Sequence, residues 1–356
     1  MKKSIVILLA FALIGVILYS QRLSIVSGVM EKGLELHLFA DRTAELEDGL
    51  HLALCGAGGP LPAPKASGPC VAVVAGNRFF ILDVGTDSPR NLGRMGYPAS
   101  KVEAVLLTHF HSDHMDGLGE LATLRWAGGA NTKPLPVHGP KGVTKVVDGF
   151  NMAYSQDFTY RHEHHGDTVS PLSGAGLMAK PFTQPALGEL VTLINDGELR
   201  VEALAVNHSP VEPAVGYRFS YKGRSLLITG DTTKLDNIKR FAKDVDLLVH
   251  DALAPNLVGI INATAERMGN PVIAKITVDI LDYHASPVEA AETARDAGVG
   301  HLLYYHIVPP LIIPGQKELF LNGAENIFPD YTIGEDGVAF SLPVGSTDII
   351  KTSNGL

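Results

Sequence analysis

The segment Thr108-His109-Phe110-His111-Ser112-Asp113-His114 constrains this chain more than any other, because it sets three imidazoles and a carboxylate within six residues of one another. It directly follows the apolar run Ala104 to Leu107, which reads as a buried strand. At a strand end the period-two alternation of side chains aims His109 and His111 to one side. The turn that follows aims Asp113 and His114 at a second point nearby. Imidazole nitrogens and carboxylates are the donor set of hydrolytic zinc centres, which leave room for a bound water. A solvated loop has no reason to collect such side chains just beyond a buried strand.

Apolar, β-rich runs stand on both sides of the segment: Leu50 to Leu54, Val71 to Ala75, Arg78 to Val84, Leu199 to Ala205, Val245 to Val249 and His301 to Tyr305. A hairpin is expected from Tyr217 to Ile228, turning at Lys222-Gly223. Helical spacing appears at Leu118 to Trp126, with Gly128-Gly129 as a stop, and again after Ser286, a good N-cap ahead of Pro287. Strand blocks with helices in both halves predict an α+β fold, an αββα sandwich of two mixed sheets flanked by helices. Residues Met152 to Ala186 are polar and read as an insert or rim loop. Within them Arg161-His162-Glu163-His164-His165 reads as solvated rather than as another ion site, and Trp126 as core or pocket wall.

The formal net charge of −9 argues against the basic face that nucleic acid requires, so nucleic acid is not expected as a partner. Ile5 to Tyr19 is apolar and follows Lys2 and Lys3, the pattern of a signal peptide or signal anchor over residues 1–22. Tyr19-Ser20-Gln21-Arg22 offers no small-x-small cleavage site, which favours an uncleaved anchor. The expectation is therefore a membrane contact through this helix and an exported chain facing the periplasm or the outside. Cys55 and Cys70 either pair across a short loop or remain two small buried thiols at strand ends.

The His-x-His-x-Asp-His pattern of Thr108 to His114 resembles the signature of the metallo-β-lactamase superfamily. Further strand-end residues follow in that family's order: His208 after Val201 to Val206, Asp231 after Leu226 to Gly230, and His306 after Leu302 to Tyr305. The resemblance implies that His109, His111 and His208 hold one ion, that Asp113, His114 and His306 hold the other, and that Asp231 bridges them. It implies two Zn2+, with Mn2+ or Fe2+ as alternatives, and a shared hydroxide as the nucleophile. The chain then divides into residues 1–22, a linker and first strand over 23–48, a hydrolase domain over 49–345, and a tail over 346–356.

Leu247-Leu248-Val249-His250-Asp251-Ala252 and Tyr283-His284-Ala285-Ser286-Pro287 are similar to the ribonuclease Z and arylsulfatase-like branch, as is the turn Cys55 to Pro62. This likeness implies a catalytic set of Asp113, Asp251 and His284, in which Asp251 orients His284 and His284 passes a proton to the departing alkoxide. Ribonuclease Z enzymes commonly carry a long tRNA-gripping arm between the residues matching His208 and Asp231, and here only a short hairpin fills that gap. The expected substrate is accordingly a small phosphodiester or sulfate ester, and a homodimer is open. Lactone or β-lactam ring opening at the same metals is the alternative, and a non-catalytic, membrane-tethered metal-binding module is a third reading.

Overall fold

Strand β1 (Gly49–Gly56) sends Leu50, Leu52 and Leu54 to one face and Ala53 and Cys55 to the other, and both faces are buried. A strand buried on both faces needs a second sheet on one side and helices on the other. The computed structural model describes residues 2–353 and supplies both. In chain order the further strands are β2 (Cys70–Ala75), β3 (Arg78–Leu82), β4 (Ala104–Leu106), β5 (Leu135–Pro140), β6 (Leu177–Phe182), β7 (Leu190–Asn195) and β8 (Leu199–Ala205). They continue with β9 (Val215–Tyr221), β10 (Arg224–Ile228), β11 (Leu247–Leu253), β12 (His301–Val308), β13 (Tyr331–Ile333), β14 (Val338–Pro343) and β15 (Ile350–Ser353).

One sheet has the order β15-β14-β1-β2-β3-β4-β5-β6 and the other β13-β12-β11-β10-β9-β8-β7. Both are mixed, with β3, β4, β5 and β6 parallel in the first and β10, β11, β12 and β13 parallel in the second. Between the sheets lies a core that includes Leu52, Val73, Phe80 and Leu106 from one side and Val201, Phe219, Ile228 and Leu303 from the other. Helices Leu118–Gly129 and Val143–His165 cover the first sheet, and Pro255–Arg267 and Pro287–Ala297 cover the second. The αββα sandwich expected from the sequence is the fold. The hairpin turns where expected, with Lys222 and Gly223 both at positive φ. Ser286 caps its helix in a capping box with Glu289.

The rim loop expected over Met152 to Ala186 is partly a helix. Val143, Val147, Phe150, Tyr154 and Phe158 recur at spacings of three and four, which makes an apolar stripe. The stripe lies against the first sheet's outer layer, and Phe158 meets Trp126 edge-on at 5.6 Å. Trp126 is fully buried, and its Nε1 donates to the carbonyl of Pro171. The histidines at 162, 164 and 165 fall on the helix's last turn, where His162 Nδ1 lies 2.9 Å from the Ser170 carbonyl.

The N-terminal expectation is corrected. Residues Lys2–His37 form one helix that runs on through Arg22, Glu31, Lys32 and Glu35. Among the described residues no helix is long and apolar enough to cross a membrane. The apolar stretch Ile5 to Tyr19 would reach roughly 22 Å as a helix, short of the ~30 Å of a hydrocarbon core. The membrane contact and the exported, membrane-anchored location both rested on that stretch and fall with it. At the other end β15 lies within the expected tail and pairs with β14, while residues 354–356 lie outside the described residues.

Candidate metal centre

Apart from His284, which lies in the loop ahead of helix Pro287–Ala297, the sequence-derived site residues sit on or just after strands. β4 delivers His109 to His114, β8 delivers His208, β10 delivers Asp231, β11 carries Asp251, and β12 carries His306. The two sheets are tied at this end: the Tyr217 hydroxyl donates to the Leu107 carbonyl at 2.6 Å, and Val215 N donates to the Thr108 carbonyl at 3.0 Å. Gly230 has φ +66°, and a Cβ there would fall 2.9 Å from Cβ of Thr108, so the turn that places Asp231 requires glycine.

The imidazoles of His109, His111 and His208 converge, with His109 Nε2 3.0 Å from His111 Nδ1 and His208 Nε2 3.4 Å from the same atom. His306 Nε2 lies 3.4 Å from Asp113 Oδ2, and His114 Nε2 lies 3.7 Å from it. Asp231 Oδ2 stands between the two groups, 3.3 Å from Nε2 of both His114 and His306, 3.8 Å from His109 and 3.9 Å from His208. Donor atoms each about 2.0–2.2 Å from a tetrahedral zinc sit roughly 3.3–3.5 Å apart. The spacing therefore fits a divalent ion in each group.

Two further observations support that fit. His114 Nε2 and Asp231 Oδ1 are buried with no hydrogen-bond partner among the described residues, an arrangement that costs free energy unless a cation takes the lone pairs. Burial would raise the carboxyl of Asp231, yet His306 and His114 hold it well below the ordinary range. Burial pushes His109 well below its ordinary value and His208 down to about 4, which keeps both imidazoles neutral and able to coordinate.

His284 sits beside this centre, its ring 5.1 Å from His208 and 5.3 Å from His306. Its Nδ1 lies 3.0 Å from Oδ2 of the fully buried Asp251. Burial would raise the Asp251 carboxyl, and hydrogen bonding to His250 and His284 outweighs that and lowers it. The helix cap belongs to Ser286, so capping does not account for His284.

Several participants escaped the sequence reading. Asp83, at φ 54° just after β3, accepts from the Thr108 amide and hydroxyl at 2.8 Å each and lies 2.8 Å from His114 Nδ1. Its one sequence signal is an aspartate closing the apolar strand Phe79 to Leu82. Tyr283 accepts His208 Nδ1 at its carbonyl, 2.9 Å away. Of the two alternatives open for Cys55 and Cys70, the pair forms: their disulfide closes the base of the glycine-rich loop, where Asp336, without a sequence signal, accepts from Ala57 N and Ser67 N.

Residues 64–291 match the model of the metallo-β-lactamase superfamily. The chain belongs to that superfamily. It is 34% identical over 271 residues to a ribonuclease Z of Mycobacterium bovis (strain BCG / Pasteur 1173P2), covering 76% of this chain and 89% of the relative. A ribonuclease Z of Mycobacterium sp. (strain KMS) is 32% identical over 289 residues, covering 81% and 94%. Among solved structures, the metallo-β-lactamase fold protein YhfI from Bacillus subtilis matches with TM-score 0.58 at 19% identity, covering 83% of this chain and all of that one. Human tRNase Z, short form, matches with TM-score 0.56 at 19% identity, covering 82% and 99%.

With these relatives the superfamily member is a metal-dependent hydrolase of ester bonds. They also correct the expectation that set nucleic acid aside, since the relatives that match over three quarters of the chain are ribonucleases by name. A net charge of −9 sums the whole surface, whereas a phosphate is met locally, and bound cations would be the largest local charges at this centre.

Proposed function

We propose that this metallo-β-lactamase superfamily member is a phosphodiesterase of the ribonuclease Z kind that cleaves RNA with a pair of zinc ions. In this reading His109, His111 and His208 hold one ion, Asp113, His114 and His306 hold the other, and Asp231 is shared. The observation that carries it is the buried Asp251 carboxylate 3.0 Å from His284, whose ring opens onto the centre beside His208 and His306. An alkoxide departing from phosphorus must take up a proton, and this pair is placed to supply one.

When bound, two divalent ions supply Lewis acidity toward the phosphoryl oxygens and lower the pKa of a water. The chain's own residues do the remainder. Asp251 accepts from His284 Nδ1 and fixes the ring, so that Nε2 is the nitrogen left to pass a proton to the departing oxygen. Asp83 fixes His114 through its other nitrogen, and the Tyr283 carbonyl fixes His208 in the same way. The ligand geometry is thereby set before substrate arrives.

A sulfate ester is the second reading. One observation favours it: between His208 and Asp231 the described residues build only β9, β10 and their turns, with no additional gripping element. Parallel assays on a 3′-extended RNA, bis(p-nitrophenyl) phosphate, an aryl sulfate, a lactone and a cephalosporin, with and without added zinc, separate these readings. Zinc-dependent cleavage of the first two is expected. Activity confined to the lactone and the cephalosporin would overturn the proposal, and elemental analysis of the active protein identifies the metal.

A further inference from the structure

A phosphodiester carries two organic arms. If the departing arm leaves past His284, the retained arm needs its own place beside the phosphate. Tyr283 stands beside both His208 and His284. Its ring centroid is 4.6 Å from that of His208 and 4.7 Å from that of His284, with its plane tilted 37° from the latter. The residue is partly buried, with its ring packed against the two histidines and the remainder reaching solvent.

The backbone that presents this ring is pinned on both sides. Ile280 packs on the small apolar cluster of Leu253, Val258 and Val308. The Ala285 carbonyl accepts from Leu253 N at 2.9 Å, and the Tyr283 carbonyl accepts from His208 Nδ1 at 2.9 Å. On the His306 side the wall is bare backbone at Gly59, where a Cβ would fall 3.1 Å from Cε1 of His306 and 2.9 Å from Val308. The Tyr283 ring is thus held in a fixed place beside the centre, and on the His306 side the Gly59 backbone packs too closely to admit a side chain.

We propose that Tyr283 determines specificity: its ring is the face on which a planar aromatic group of the retained arm, an aryl ring or a nucleobase, stacks while the phosphate sits at the metals. This rests on the phosphodiesterase reading above. Stacking of a base on an aromatic side chain changes binding by roughly ten- to a hundredfold. The His208 hydrogen bond uses the Tyr283 carbonyl, so a side-chain substitution leaves it in place.

The test uses the full chain loaded with zinc, as wild type, Tyr283→Phe and Tyr283→Leu. Calorimetry measures binding of diphenyl phosphate against dibutyl phosphate, two diesters that differ in whether their apolar arms are planar. Turnover is then compared on bis(p-nitrophenyl) phosphate and methyl p-nitrophenyl phosphate, which share a leaving group and differ in the retained arm. Wild type and Tyr283→Phe are expected to favour the diphenyl ester about tenfold in binding, and the diaryl substrate by a similar factor in KM. Tyr283→Leu is expected to lose both preferences with kcat nearly unchanged and metal content intact. A ring preference in binding without turnover would sink the phosphodiesterase reading and leave the stacking role standing. Turnover with no ring preference, or a preference that survives in Tyr283→Leu, would overturn the stacking role alone. Loss of metal in Tyr283→Leu would also overturn it, by making the ring a support for His208.

Discussion

Asp83 Oδ2 lies 2.8 Å from Nδ1 of His114, and both side chains are buried. This carboxylate fixes which nitrogen of His114 is free to face the centre, and it also accepts from the Thr108 amide and hydroxyl. Partners of this kind change metal affinity by about 10- to 100-fold. Asp83→Asn is expected to weaken zinc by that order, read by competition with a chromophoric chelator, with the far-ultraviolet circular dichroism unchanged. Unaltered affinity would show that Asp83 only ties the strand end to Thr108.

His284→Ala is expected to lower kcat by about 10²- to 10⁴-fold while metal content stays near that of the wild type. Asp251→Asn should act through the same proton, so the double variant should lose little beyond the larger single effect. Additive losses would separate the two residues, and loss of metal in His284→Ala would remove it from the proton-donor role.

The disulfide between Cys55 and Cys70 closes a loop of sequence separation 15 around the glycine-rich turn. Constraint of the unfolded chain over such a loop is worth about 3 kcal/mol. Replacing both cysteines by alanine should lower the urea midpoint by an amount equivalent to that figure at constant m-value. A change of a few tenths of a kilocalorie would mean that Asp336 and Asn91 hold the loop unaided.

Chelation should expose opposing pH dependences. In the metal-free chain burial is the largest single influence on His114 and His306 and lowers both, but the carboxylates together outweigh it, Asp231 with Asp83 at His114 and Asp231 with Asp113 at His306, so both values end raised. Their stabilising contribution is complete below the unfolded value near 6.5 and is lost as pH rises through the folded values. Burial lowers His208 to about 4, so its contribution is complete above about 6.5 and is lost as pH falls toward 4. The chelated protein should therefore show a melting temperature that falls on both sides of a maximum near neutrality. Zinc-loaded protein should melt higher and lose less on the alkaline side, because metal replaces those protons. Superimposable melting curves with and without chelator would contradict a metal held by these residues.

The motif from His109 to His114 and the later His208, Asp231 and His306 were legible because each follows an apolar strand, and strand ends are written locally in period-two alternation. The same holds for Ser286, whose capping box spans three residues. The helix Val143–His165 was legible in principle through its stripe of Val147, Phe150, Tyr154 and Phe158, but the surrounding polar and histidine-rich residues obscured it. The N-terminal reading erred by giving the apolar content of Ile5 to Tyr19 more weight than its length.

What the sequence by itself determined, then, is that histidines and aspartates gather at strand ends, which strands carry them and the sandwich of two sheets, since these follow from short-range periodicity and from residue chemistry. Tertiary structure decided which distant groups meet: Asp83 with His114 across 31 positions, Cys55 with Cys70, and the Tyr283 ring with His208 across 75. Those pairings depend on the order of strands in the sheets and on how the two sheets are stacked. Local pattern does not encode that order; the packing of the whole core selects it.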